Sequence, residues 1–187
     1  MGCTQGISAA ITNDCATNLP TTGAKVAITV FERGNITTIA YAVGSTRIVE
    51  DITLSNPAFL ITGHKKSTNA GHDLVVSENA PDMFTQYLSI QQWGITAADI
   101  KALDELGDIV VVVENKNSGV AGDGAYEIYG LETGLFKSSD TRRVNDNLGV
   151  GTIELTNQEG EAASFSRHTF FKTDYAATKV LVDALLV

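Results

Sequence analysis

Apolar residues recur at every second position through the first third of the chain, the spacing of strands with one covered face. Over Lys25–Glu32, Val26, Ile28 and Val30 fall on one side and Ala27, Thr29 and Phe31 on the other. Arg33-Gly34-Asn35 has the residue types of a hairpin turn, and a return strand is expected over Ile36–Val43, with Thr37, Ile39, Tyr41 and Val43 in phase. Gly44-Ser45 breaks that run. Ile48, Ile52 and Leu54 align at period two within Arg47–Leu54, Asn56-Pro57 turns the chain, and Ala58–Thr62 reads as a fourth strand.

The pattern then changes twice. Residues 63–73 are polar and without period, which predicts a long exposed loop, or the tip of an extended hairpin leading into Leu74-Val75-Val76. Residues 80–106 read as a helical segment. In its first half Phe84, Leu88 and Gln91, with Met83, Tyr87 and Ile90 alongside, recur at helical spacing from Pro81 to Gly94, with Tyr87 and Trp93 as core anchors. In its second half Thr96 is a cap with Asp99 three residues on, and Ile100, Leu103 and Leu106 face one way until Gly107.

The most apolar strand follows, Asp108-Ile109-Val110-Val111-Val112-Val113-Glu114. Four consecutive valines need cover on both faces. In an antiparallel protein of this size another subunit is a candidate for the second cover, which points toward assembly and away from catalysis. A glycine-rich loop over Asn115–Gly124 leads to a strand at Ala125–Leu135 that ends in a turn. After a charged crossing that closes in a polar loop at 141–147, Val150–Thr156 forms another strand. Phe165–Lys172 is a further strand candidate, and Thr178–Val187 fits a helix slightly better than a strand. Residues 1–23 read as a polar N-terminal arm. No repeat or internal boundary divides the chain, so 1–187 is expected to be one domain. The class is α+β and β-dominated: an antiparallel β-sandwich or barrel with a flanking helix or helix pair.

Composition narrows the partners. The formal net charge is −9, which repels nucleic acid and anionic membranes but suits a protein that must not stick to passing DNA. Cys3 and Cys15 are the only cysteines, and free thiols in a reducing compartment are expected. No signal-peptide pattern and no apolar run of membrane-spanning length is present, so no membrane association is expected.

Catalytic and metal-binding patterns are not met. His64, His72 and His168 match no metal spacing, so they read as solvated or structural histidines. Gly63-His64-Lys65-Lys66-Ser67-Thr68 lacks the glycines and the following helix of a phosphate loop. Asn115, Asn117, Asp123 and Glu127 depart from calcium-loop spacing. The second half of the helical segment carries Asp99, Asp104 and Glu105 against Lys101, unlike a DNA-recognition helix. No catalytic residue, metal or cofactor is expected, and an enzyme is disfavoured.

The order of elements, with the run Glu114-Asn115-Lys116, then Ala125-Tyr126-Glu127-Ile128-Tyr129-Gly130-Leu131, Gly134-Leu135 and Gly151-Thr152-Ile153-Glu154-Leu155, resembles the tail tube proteins of phages, especially tail tube-like virion proteins of phages that infect Bacteroidetes. The resemblance covers residues 105–187 most clearly and is architectural over 20–80. It implies a virion protein that forms hexameric rings, with inner strands pooled into one barrel and rings stacked into a conduit for DNA alongside other tail proteins. On that reading Glu114, Glu127 and Glu154 line an acidic bore. His64, Lys65, Lys66, Ser67, Asn69 and His72 form the ring-to-ring contact loop. A capsid decoration protein, a head–tail connector and a monomeric β-sandwich binding module are the alternatives.

Overall fold

In a computed structural model, the structure describes residues 24–62, 68–78, 81–92, 96–116, 118–119, 121–143, 145 and 150–187. Among these residues eleven strands and two α-helices follow one another as β1 (Ala24–Glu32), β2 (Ile36–Tyr41), β3 (Ile48–Leu54), β4 (Phe59–Thr62), β5 (Thr68–Val75), β6 (Met83–Gln92), α1 (Ala97–Asp104), β7 (Ile109–Asn115), β8 (Tyr126–Tyr129), β9 (Phe136–Arg142), β10 (Gly151–Thr156), β11 (His168–Phe170) and α2 (Tyr175–Ala184). Sheet A has the order β2-β3-β11-β8-β7-β1-β4, and sheet B the order β5-β6-β10-β9. Every pairing is antiparallel except β11 with β3. The fold is therefore the β-dominated α+β sandwich that the patterning predicts.

Arg33–Asn35 is a 3₁₀ turn, yet β1 and β2 do not pair with each other, so the expected hairpin is absent. The two strands stand sixth and first in sheet A. A flat sheet would hold them about 24 Å apart at ~4.8 Å per strand, whereas the four Cα steps from Glu32 to Ile36 reach at most about 15 Å. Sheet A must therefore curl round on itself.

The curl divides the apolar residues into two clusters. Inside it lie Phe31, Val49, Ile52, Val110, Val112, Tyr126, Ile128 and Phe170, covered by Val182 and Leu185 of the C-terminal helical region. Between the sheets lie Ile28, Val30, Leu88, Ile90, Val111, Val113, Leu135, Ile153 and Leu155, with Leu103 of α1 closing one flank. The four valines thus do have two covered faces, but the chain's own α2 supplies the second cover. As a pointer to assembly that strand is corrected.

Helix α2 is placed by specific groups. The Asp174 carboxylate caps it by accepting from the Ala177 N–H at 2.8 Å, the buried Thr178 hydroxyl donates to the Asp174 carbonyl at 2.7 Å, and the Leu185 carbonyl accepts from the Ala58 N–H at 2.7 Å. Leu185→Ala is expected to cost about 2–4 kcal/mol in urea unfolding, and Val180→Ala on the exposed side under about 0.5 kcal/mol.

Three more expectations are corrected. The first half of the 80–106 segment is strand β6, not helix; among its described residues α1 alone is helical, and Tyr87 is not a helix anchor but lies on the outer face of sheet B, over Gly71. Within the 63–73 loop, residues 68–73 belong to β5. The charged crossing contains β9, which reaches into the expected 141–147 loop. The N-terminal arm with its two cysteines, and Trp93, lie outside the described residues.

Candidate functional site

Sheet B holds the surface with the clearest functional character. Its inward positions, Ala70, Leu88, Ile90, Ile153 and Leu155, pack on sheet A. Alternation sends the others outward: Asn69 and Asp73 on β5, Thr85, Ser89 and Gln91 on β6, Thr152 and Glu154 on β10, Ser139 and Thr141 on β9. Cross-strand register aligns them in rows, Asn69–Ser89–Glu154–Ser139 being one. The result is a face rich in hydroxyls and amides, which also carries Val75, Met83, Tyr87 and Phe136. Among the described strand residues its only charged groups are the carboxylates of Asp73 and Glu154. The cations of β9 point the other way. Lys137 reaches Asp104 of α1 at 3.8 Å, and Arg142 lies over Gly151 beside Ile100 and Leu103.

Both edges of sheet B, β5 and β9, lack a partner strand within the described residues. Sheet A ends likewise in β2 and β4. On the flank shared by β4 and β5 the inter-sheet core is open. Phe59 and Leu74 take inward-facing register positions, opposite Val30 and Phe84, yet are 71% and 54% exposed. Leu60 and Val75 are also exposed, but by register they lie on the opposite faces of their sheets, away from this gap.

The three glutamates expected to act together do not share a surface. Glu114 faces α2: it accepts from the Tyr175 hydroxyl at 2.6 Å and pairs with Lys25, whose pKa that hydrogen bond raises. Tyr175 in turn stacks on Tyr126, with ring centroids 5.8 Å apart. Glu127 points to the opposite face of sheet A, where it accepts from the Tyr129 hydroxyl at 2.7 Å and pairs with Arg167 at 2.8 Å. Burial holds the Tyr126 and Tyr129 hydroxyls protonated well above their ordinary range. Both glutamates are thus tied into the chain's own packing. Glu154 alone stands exposed on the open face of sheet B. Of the expected contact loop, His64, Lys65, Lys66 and Ser67 lie outside the described residues. Asn69 is exposed on β5, and His72 is half-buried with its ring edge-on to Phe84 at 5.7 Å.

Sequence did not bring Asp73, Ser89 and Gln91 onto one face, because reading 63–73 as loop and 83–92 as helix removes two of this face's four strands. The glycine loop is shaped by its own hydrogen bonds: the Asn115 side-chain amide donates to the Gly124 carbonyl at 3.2 Å, and the Gly124 N–H to the Ser118 carbonyl at 3.2 Å. Among the described residues no three His, Cys, Asp or Glu side chains gather as metal ligands, and no helix is long and apolar enough to cross a membrane. No protein-family model, curated protein or solved structure matches the chain.

Proposed function

We propose that the chain is a structural virion protein that assembles through the edges of sheet B into stacked rings, forming a phage tail tube through which DNA passes. The observation that carries this reading is sheet B itself: four strands, one face in the core, the other largely polar, with carboxylates as the only charges and both edges unpaired among the described residues. Open edges seek strands, and a second copy supplies them in a form that can repeat until a ring closes. A hexameric ring would pool twenty-four strands from its four-stranded sheets. At ~4.8 Å per strand and a tilt near 40° such a barrel is about 48 Å across between backbones, wide enough to pass duplex DNA. Asp73 and Glu154 would then face the bore, where their charge repels phosphate and leaves DNA free to slide. The apolar flank of Phe59 and Leu74 would be covered in the same association.

Negative-stain microscopy of the purified protein at high concentration tests the assembly. Rings or tubes are expected; a monodisperse monomer at every concentration overturns the reading. The bore is tested separately with the double variant Asp73→Lys and Glu154→Lys. Its assemblies are expected to retain duplex DNA at low salt and release it steeply as salt rises, while wild-type assemblies retain none. Equal DNA retention by both would remove sheet B from the bore.

A further inference from the structure

We propose that buried His168 and Glu132 form an acid-sensitive latch in the seam of sheet A, and that proton uptake by His168 loosens the joint between β3 and β8. The latch is internal to one copy and does not depend on assembly. That joint is β11, a three-residue strand that pairs with two residues of β3 on one side and two of β8 on the other. Backbone bonds from Thr169 N–H to the Arg47 carbonyl and from Phe171 N–H to the Val49 carbonyl, both 2.9 Å, complete the β3 side. Among the described strands no other bridges the two halves of the curled sheet at this position.

His168 sits at its centre, 2% exposed. Its Nδ1 has no hydrogen-bond partner, nor does the buried Oε1 of Glu132, which lies 3.7 Å from His168 Nε2. Protonation would call for closing that gap, but Glu132 is held in place. Its other oxygen accepts from the Ser164 N–H at 2.6 Å, and it lies in the tight turn from Gly130 to Gly134, closed by a 2.9 Å backbone bond. The remaining neighbours do not welcome a cation. The Phe165 ring meets His168 edge-on at 5.3 Å and carries the Arg47 guanidinium 4.7 Å from its centroid. Tyr41, its ring 6.3 Å away, stays protonated because burial raises its pKa. Adjacent Arg167 is engaged by Glu127. Burial, with Arg47 adding to it, lowers the His168 pKa more than Glu132 raises it.

A histidine whose folded pKa lies below its unfolded value of about 6.5 leaves stability intact above that pH. Below it the opened state binds a proton that the closed state refuses, so opening grows by up to about tenfold per pH unit until the folded pKa is reached. Amide hydrogen exchange, corrected for its intrinsic pH dependence and compared at pH 7.5 and 5.5, reads this directly. The expected result is a loss of protection confined to Ile48–Leu54, Tyr126–Tyr129 and His168–Phe170, absent from His168→Gln. Equal protection at the two pH values, or an unchanged pH response in the variant, overturns the latch. If His168→Gln fails to fold, proton NMR of wild-type His168 decides instead. Titration below 6.5, moved lower still by Glu132→Gln, supports the proposal, and titration at or above 6.5 refutes it.

Discussion

Replacing Gln86 with leucine is expected to lower the unfolding free energy by about 3–5 kcal/mol, although leucine has nearly the same volume and is the more hydrophobic residue. Gln86 is 1% exposed on the inward face of β6. Its side-chain oxygen accepts from the Gly130 N–H at 2.6 Å, and its amide donates to the carbonyls of Phe165 at 2.9 Å and Ser166 at 3.2 Å. One side chain thereby ties β6 to the turn after β8 and to the approach to β11. Asn157 extends the clasp. It accepts from the Gln86 backbone N–H and donates to Thr133 Oγ1 and the Gly134 carbonyl. Leucine would leave the Gly130 N–H buried without an acceptor, worth about 1–3 kcal/mol, and deprive two carbonyls of a donor. Urea unfolding should show a lower midpoint at unchanged m, and heat unfolding a loss on the order of 10 °C for a chain of this length. Gln91→Leu on the outer face of the same strand should change stability by less than about 0.5 kcal/mol. A loss that small for Gln86→Leu would show that the clasp is energetically idle.

The same glutamine explains the largest misreading of the sequence. Along β6 the inward residues are Phe84, Gln86, Leu88 and Ile90, a period of two whose second member is polar. With Gln86 counted as polar, Phe84, Leu88 and Gln91 at helical spacing compete successfully. The polar side chain belongs inside only because Gly130, Phe165 and Ser166 meet it there, and those partners are about 44 to 80 residues away in sequence. Where burial is decided locally, as in β1, β3, β7 and β10, alternation or a continuous apolar run located each strand to within about three residues. β9 escaped because Lys137, Ser138, Ser139, Asp140 and Thr141 give no apolar alternation. Among the described strands its only partner is β10, and none of its residues is fully buried.

Surface assignments were legible only in part, for a related reason. Glu114, Glu127 and Glu154 all lie on strands with apolar neighbours, but a strand pattern does not say which of two faces a parity belongs to. The pairing of Val113 with Glu127 and Glu114 with Tyr126 puts the first two glutamates on opposite faces of one sheet. Glu154 falls in the other sheet. The valine run correctly demanded two covers, yet nothing in its spacing told a neighbouring subunit from a helix some 70 residues downstream.

Gly130→Ala is expected to be at least as damaging as the loss of the Gln86 clasp, costing about 4 kcal/mol or more and leaving much of the protein insoluble. Gly130 has φ of +80°, where a Cβ alone costs about 1–2 kcal/mol. The added carbon would also stand 2.5 Å from the Ile109 carbonyl oxygen and 3.0 Å from Leu135 Cγ. The first of these is backbone that cannot swing away, because Ile109 and Leu135 exchange hydrogen bonds of 3.1 and 2.9 Å in an isolated bridge. Relief would require breaking that bridge and lifting the fully buried Leu135 from the inter-sheet core. Gly160 is the internal control: its φ is +85°, but a Cβ there would meet nothing within 4 Å. Gly160→Ala should therefore show the conformational cost alone, about 1–2 kcal/mol, in the same urea titration. Similar losses at the two positions would mean that the turn yields freely around residue 130. The close packing of Gly130, Ile109 and Leu135 would then not be what holds the end of β8 against the start of β7.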